Sequence, residues 1–264
     1  MKGIILAGGT GTRLLPLTSV TCKQLLPVYD RPMVFYPLNT LIKAGIKDIL
    51  IIVSPEYSGQ FLNLLGSMFQ SFGIKISFMV QKAPRGLAEA FILAEDFMDE
   101  KPVTLVLGDN IFEHDFTEDI RTFEQGARVF AKEVPDPERF GVVEFDASGT
   151  AISVEEKPTK PKSNFAIPGM YIFEASVCGV AKKLKPSARG ELEITDLHRH
   201  YLEQGTLDVR TIEGGYFDAG THEALFEASA YVREHKLLDR FDPIIAEALK
   251  TFNAEFKQMV SLRK

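Results

Sequence analysis

The sequence predicts an α/β fold: a mostly parallel, Rossmann-like sheet flanked by helices, with a strand-rich lobe and C-terminal helices added. Three observations predict it. Short apolar, β-branched runs alternate with amphipathic stretches from Ile4 to Leu107. The first of those runs stops abruptly at Gly8-Gly9. From Gly126 onward helical spacing gives way to strand patterns that follow one another closely.

The elements follow in order. Ile4, Ile5 and Leu6 form a buried strand that ends at the glycines. Pro32 to Ala44 carries Met33, Tyr36 and Leu41 at helical spacing, with proline near its start and Gly45 as a stop. Asp48 to Val53 is apolar throughout, as expected of a parallel strand covered on both faces. Ser58–Leu65 reads as a helix, Ile76–Gln81 as a strand, Leu87–Met98 as one amphipathic helix and Val103–Leu107 as another buried strand. Such alternation implies right-handed crossovers. The second half offers strands at 127–134, 141–146, 151–157 and 165–173, with Asp146-Ala147-Ser148-Gly149 as a hairpin turn. Glu191–Tyr201 returns to helix, Leu207–Ile212 to strand and Thr221–Glu234 to helix. The tail from Asp239 to Lys264 is helical by the spacing of Ile244, Ile245, Ala248, Leu249 and Phe252. No Pro/Ser/Gly-rich linker interrupts the chain. The expected organisation is therefore one compact unit over 1–235, with a nucleotide-binding core (1–125), a strand-rich lobe over its rim (126–220) and a helical tail (236–264).

The 264 residues carry a formal net charge of −6 and no basic run, which argues against nucleic acid or an anionic membrane as partner. No apolar run approaches a membrane span, and the N-terminal one is too short and glycine-broken for a signal peptide. Cys22 and Cys178 have no CxxC or metal spacing, so two free thiols in a reducing cytoplasm are expected. Cys22 stands beside Lys23, which would lower its thiol pKa, although a bystander role is the simpler reading.

The loop after the first strand carries Gly8, Gly9, Gly11, Arg13 and Lys23. Glycines let backbone N–H groups lie against a ligand, and two cations beside them suit a polyanion such as a nucleoside triphosphate. It is not a Walker loop, because no Gly-Lys pair occurs in the chain. Nor is it the dinucleotide fingerprint, because Leu14 stands where the third glycine belongs. Gly8, Gln81, Gly86 and Asp109 all fall where an apolar strand ends. In open parallel sheets that rim is the ligand site. Taken singly, Gln81 also reads as a solvated strand end and Asp109 as a turn cap.

GGTGTRL (8–14) followed by KQLLP (23–27), then VLGDNIF (106–112), PERFGVVEF (137–145), EEKP (155–158), PSARGELEITD (186–196) and FDAGTH (217–222), resembles the sugar-phosphate nucleotidyltransferases. Within them the order of motifs is similar to the short-form glucose-1-phosphate thymidylyltransferases. That resemblance implies Mg²⁺-dependent condensation of dTTP with glucose 1-phosphate, the first step toward dTDP-rhamnose and related deoxysugars. It implies nucleotide binding by Leu6, Gly8, Gly9, Gly11, Thr12, Arg13, Gln24, Gln81, Pro84, Gly86 and Asp109. Gln24 would meet the deoxyribose and Gln81 the base. It implies sugar-phosphate binding by Gly141, Glu156, Lys157, Gly169 and Arg189, and metal binding by Asp109 and Asp218. Arg13, Lys23, Lys157, Asp109 and Asp218 would carry the catalysis. Family members form homo-oligomers, tetramers or dimers, with a second nucleotide site for end-product feedback.

The chemistry needs no side-chain base, because a sugar-phosphate oxygen is already anionic at neutral pH. The sequence accordingly offers no Ser/His/Asp arrangement, and His198 and His200, two apart on a helix, read as surface residues. The problem to be solved is repulsion between polyanions, which cations and positioning relieve. Lys157 and Arg189 would otherwise be surface salt-bridge residues.

The chain also departs from the pattern. GGYFDAG is shorter than the family's AWLDTG region, and the chain has no tryptophan. The Asn110–Phe116 loop and the tail are short as well, so assembly is expected to persist while feedback weakens. Two alternatives stay open: the same chemistry with UTP or another sugar phosphate, and a non-catalytic sugar-nucleotide-binding subunit.

Overall fold

A computed structural model describes residues 1–261. Its centre is three parallel strands: β1 (Lys2–Ala7) between β2 (Asp48–Val53) and β4 (Val103–Leu107), with β3 (Lys75–Val80) outside β2. The register pairs Ile5 with Ile51 on one side and with Val106 on the other. The continuous apolar runs are explained by the two clusters they feed. Ile5, Ala7, Ile49, Ile51 and Val53 pack on one face against α1 (Phe35–Lys43) and α2 (Ser58–Leu65). Ile4, Leu6, Leu50 and Ile52 pack on the other against Ala90, Phe91 and Leu197. Each central strand is thus covered on both sides, and alternate residues choose different cores.

Five antiparallel or late-joining strands extend the same sheet: β6 (Ala127–Glu133), β7 (Gly141–Phe145), β8 (Ala151–Glu156), β9 (Phe165–Ile167) and β10 (Met170–Phe173). The order is β8-β7-β9-β6-β10-β4-β1-β2-β3, and β11 (Leu207–Thr211) pairs in parallel with β6. The strand-rich half is therefore an extension of the sheet through β10, whose Met170 faces Val106. The Asp146–Gly149 turn joins β7 to β8, closed by Gly149 N–H on the Asp146 carbonyl at 3.0 Å.

Several boundaries differ from the sequence reading. Residues 165–173 are two strands, not one, because Pro168 has no N–H for the ladder. The break at Pro168-Gly169 moves the chain across β6, from between β7 and β6 to between β6 and β4. The 87–98 stretch is two short helices, α3 (Glu89–Leu93) and α4 (Glu95–Met98), separated at Ala94. Helix α5 begins at Ile194 and runs to Glu203; Glu191 to Glu193 stay extended because Leu192 is bonded elsewhere, its N–H to Arg85 and its carbonyl to Ala88. Helix α1 starts at Phe35 because Arg31-Pro32 forms a small ladder with Pro27-Val28. The tail is helix Pro243–Ser261, and Ile245 and Ala248 are buried in the core on the α1 face. The last three residues of the expected tail lie outside the described residues. No helix among the described residues is long and apolar enough to cross a membrane.

Candidate active site

Two cavities open side by side along the carboxyl ends of the central strands. One is lined by Leu6, Gly8, Gly9, Lys23, Gln24, Gln81, Pro84 and Gly86. The other is lined by Arg13, Arg139, Gly141, Glu156, Lys157, Gly169, Thr195 and Asp218. They share Leu87, Leu107 and Asp109, so they form one trench with Asp109 at its middle.

At the first end, backbone crossings do the shaping. Gly108 N–H donates to the Leu6 carbonyl at 2.9 Å, joining the ends of β4 and β1. A Cβ on Gly8 would stand 3.0 Å from the Gln81 amide oxygen, so glycine lets that amide lie against the strand end. Gly86, at φ +102°, is crossed by Leu192, whose backbone oxygen would be 2.3 Å from a Cβ there. This crossing fastens the 84–88 loop to the 186–193 segment. The Gln81 amide nitrogen donates to Glu89 at 2.7 Å, which fixes the amide and leaves its oxygen acceptor turned away from Glu89. Gln24 is buried; its amide nitrogen reaches the Gly8 carbonyl at 3.2 Å, while its own oxygen has no protein partner. Thr12 and Arg13 stand in a single turn of 3₁₀ helix after Gly11, which adopts φ 62° with the Thr18 side chain packed against it. Cys22 is buried and burial pushes its thiol up to about 11, Lys23 notwithstanding, so the bystander reading holds.

Asp109 and Asp218 face each other across a small ladder, β5 (Asn110–Phe112) against β12 (Tyr216–Asp218), in which Asp218 pairs with Asn110. Ala219 N–H donates to the Asp109 carbonyl at 3.0 Å. Their electrostatics differ. Burial opposes ionisation of Asp109, but the Lys23 ammonium bonded to it outweighs that and holds its carboxyl below the usual range. Burial and the charge of Asp109 push Asp218 upward, against the pull of Lys23, Arg13 and Arg139. Two carboxylates brought together at mutual cost, with cations around them, form an oxygen donor set suited to a hard divalent ion that completes its shell with phosphate oxygens and water. No cluster of three or more His, Cys, Asp or Glu able to cage a metal occurs among the described residues.

At the other end the walls are side chains. Glu156, at the end of β8, accepts from the Thr195 hydroxyl on α5. Lys157 holds a left-handed backbone, φ 41°, unusual for a residue with a Cβ. Its N–H donates to the Phe140 carbonyl at 2.9 Å, which holds it in the cavity wall. Gly169 is required by packing: a Cβ would lie 2.4 Å from Leu107 and 2.7 Å from the Asn110 side chain, whose oxygen accepts the Gly169 N–H at 2.8 Å. Arg189 stands outside the lining, held at 2.7 Å by Glu193, at 3.4 Å by Glu191 and at 3.3 Å by Glu156. The wall where tryptophan is missing is filled by Tyr216, stacked on Phe112 at 5.2 Å with its hydroxyl donating to Asn110.

The sequence reading missed Arg139, Asn110, Thr195, Tyr216 and His198 in the trench. Arg139, Asn110 and Thr195 lie inside the quoted motifs, so their signal was present. His198 corrects the surface reading outright: it is 1% exposed, because the face of α5 that carries it turns inward.

The fold and the trench define a class, and comparison with known proteins agrees on it. The family model described as nucleotidyl transferase matches residues 2–235, and the chain belongs to that family. Among curated relatives, a glucose-1-phosphate thymidylyltransferase of Neisseria meningitidis is 54% identical, over 88% of this chain and 83% of its own. One from Mycolicibacterium smegmatis is 49% identical over 90% and 84%. A crystal structure from Bacillus anthracis, described as a glucose-1-phosphate thymidylyltransferase with sucrose bound, superposes with a TM-score of 0.83 at 45% identity, covering 88% of this chain and 95% of that one. A UDP-glucose pyrophosphorylase with UDP-glucose bound gives 0.76 at 26% identity, covering 88% and 98%.

Proposed function

We propose that the chain condenses dTTP with α-D-glucose 1-phosphate to give dTDP-glucose and pyrophosphate, with Mg²⁺ held by Asp109 and Asp218. The observation that carries this is the trench itself, in which two cavities of different chemistry meet at one carboxylate. The glycine-rich end, with Gly8, Gly9, Gln81 and Gly86, suits a nucleotide; the end with Glu156, Lys157 and Thr195 suits a sugar phosphate.

In this reading a phosphate oxygen of glucose 1-phosphate attacks the α-phosphorus of dTTP. A new P–O bond forms, the bond to the bridging oxygen breaks in line, and pyrophosphate carries the electron pair away. Lys157 holds the attacking phosphate, with Arg189 at the cavity mouth. Arg13 and Lys23 bind the triphosphate, and Lys23, already seated on Asp109, needs no long movement to do so. Asp109 and Asp218 would hold Mg²⁺, which would supply charge neutralisation for the phosphates. Catalysis is positioning and charge compensation, since the nucleophile is already ionised.

The relatives at about half identity support dTTP over UTP, while the pyrophosphorylase neighbour at 26% identity keeps UTP as the rival. Arg13, Lys23, Asp109 and Asp218 all being present disfavours a non-catalytic subunit. Pyrophosphate release over a matrix of dTTP, UTP and CTP with several sugar 1-phosphates tests the reading. Highest kcat/KM is expected for dTTP with glucose 1-phosphate; a preference for UTP, or no release, would overturn it.

Assembly as a homo-oligomer in the cytoplasm, and a catalytic unit over 1–235 with an appended tail, belong to the same proposal. Feedback by a dTDP-sugar end product is expected to be weak. The cations beside the cavity at Glu113–Phe116 are both engaged, Lys43 with Asp115 at 2.8 Å and Arg240 with Glu113 at 2.6 Å. Tight inhibition that excess dTTP does not relieve would show the opposite.

A further inference from the structure

We propose that His198 is a specificity-determining residue of the sugar cavity, its imidazole exchanging a hydrogen bond with a hydroxyl of the sugar ring. The inference rests on assigning that cavity to the sugar phosphate, and it names a residue within it that no motif of the sequence pointed to.

The ring is placed by α5, which turns Ile194, Thr195 and His198 to the cavity while Leu197 and Tyr201 enter the core. Residues one turn apart share a helix face, so Thr195 and His198 border the same space. His198 is 1% exposed, yet neither Nδ1 nor Nε2 has a hydrogen-bond partner in the protein. Aromatic rings fix its plane: Phe173 lies nearly parallel, 11° off at 6.0 Å between centroids, and Tyr171 lies at 5.2 Å. These contacts hold the faces of the imidazole and leave its polar edge unserved. Buried polar atoms are paired in nearly all native sites, because desolvating them without a partner is costly. A position meant only for packing between Phe173 and Tyr171 would be filled more stably by an apolar residue. An orphaned imidazole in the wall of a ligand cavity is instead a group awaiting its partner.

The chemistry of the partner follows from the charge state. Burial pushes this imidazole down to about 3, so it stays neutral, with one nitrogen donating and the other accepting. A hydroxyl suits whichever ring nitrogen it meets, because it can donate to the bare nitrogen or accept from the N–H. A phosphate only accepts, and the same cavity offers it the Lys157 ammonium. On the same wall Glu156, oriented by Thr195, is a second acceptor for hydroxyls. Together they form a hydroxyl-reading surface that selects among hexose 1-phosphates.

The test uses steady-state kinetics of His198→Leu, His198→Phe and His198→Asn in the full chain, with glucose 1-phosphate and its 2-, 3-, 4- and 6-deoxy analogues, alongside thermal melting. His198→Leu is expected to melt no lower than the parent, since it removes an orphaned polar group. Its KM for glucose 1-phosphate should rise about tenfold with KM for dTTP unchanged, the scale of one lost hydrogen bond. One deoxy analogue, lacking the hydroxyl that His198 reads, should be insensitive to the substitution, and His198→Asn should recover part of the loss. An unchanged sugar KM in Leu and Phe variants that fold, an equal penalty on all four analogues, or loss of folding in both variants would each overturn the proposal. Glu156→Gln separates the two levels of the reading. If it too leaves the sugar KM unmoved, the cavity has been misassigned; if it raises KM while His198→Leu does not, only the role of His198 falls.

Discussion

At the end of the trench proposed for the nucleotide the surface is shaped largely by backbone; at the end proposed for the sugar phosphate it is made largely of side chains. Gly8 and Gly86 act by lacking a Cβ, so that Gln81 and Leu192 can approach. The sugar end draws Glu156 and Lys157 from the end of β8, Thr195 and His198 from α5, and Tyr216 and Asp218 from β12. The first end is therefore sensitive mainly to added atoms; the second is sensitive mainly to lost functional groups, with Gly169 as its most crowded backbone position. Strand ends joined by backbone bonds make a stiff seat for phosphates that every substrate of the class shares. In the proposed reading, a wall of side chains from separate elements is where sugar selectivity would be adjusted.

The largest effect is expected where the ends meet. Asp218→Asn keeps shape and removes a metal-facing charge, so turnover should fall on the order of a thousandfold. Stability should move the other way. The unfolded Asp218 carboxyl ionises at its ordinary pKa while the folded one resists, so above that pH the native charge is a cost that asparagine removes. Chelator-treated Asp218→Asn should melt at or above the parent. Near-normal turnover in a well-folded variant would break the metal assignment, and a lower melting point would break the electrostatic one.

Next comes the nucleotide end. Gly86→Ala sets a Cβ 2.3 Å from the Leu192 backbone at φ +102°. Gly45→Ala, at φ +80° with nothing within 4 Å, carries only the conformational cost and serves as its control. Gly45→Ala should lose about 1–2 kcal/mol, whereas Gly86→Ala should lose more and also raise KM for dTTP. Equal losses by urea titration, with KM unmoved, would mean that the crossing with Leu192 does not shape the site.

A smaller effect is expected at Gln81. Its amide nitrogen is committed to Glu89, so the free oxygen is the acceptor for the ring N3–H that thymine or uracil presents, where cytosine has a bare acceptor nitrogen. Gln81→Ala should cost about 1–3 kcal/mol with dTTP and narrow the preference over CTP. An unaltered ratio of kcat/KM between the two would send base reading elsewhere.

The same contrast decides what the sequence makes legible. Backbone-shaped sites leave glycines at strand ends, and the boundaries of the strands at 48–53 and 103–107 and of the helix at 58–65 could be read because their apolar patterns and their stops are local. Side-chain walls leave no such mark. Whether His198 faces solvent or the cavity depends on how α5 is rotated, and that is set by Leu197 and Tyr201 packing against strands far away in sequence. The start of α5 was misplaced for a related reason: Leu192 bonds to Arg85 and Ala88 across the loop. The break at Pro168 carried a local signal, since proline lacks the N–H a ladder needs, yet the change of partner strands across it is a tertiary fact.

The smallest effect concerns what holds Asp218 in place from behind. Glu113 follows β5 and accepts hydrogen bonds from the Tyr231 hydroxyl and, at 2.8 Å, from Gly215 N–H, just ahead of β12; Arg240 joins at 2.6 Å. The Tyr231 and Gly215 bonds, with Arg240 adding to them against a partial burial penalty, lower its carboxyl from an ordinary 4.5 to about 2. On acidification the unfolded carboxyl takes up its proton first, near 4.5, while the folded one resists until about 2. The stabilisation is therefore full above the first value and lost by the second. Wild type should be more stable than Glu113→Gln at neutral pH, and that difference should close as the pH falls from about 4.5 toward about 2. Urea midpoints at pH 7, 4 and 3 measure it. A stability difference that stays constant across that window would show that Glu113 holds β12 by shape alone, with its charge playing no part in keeping Asp218 opposite Asp109.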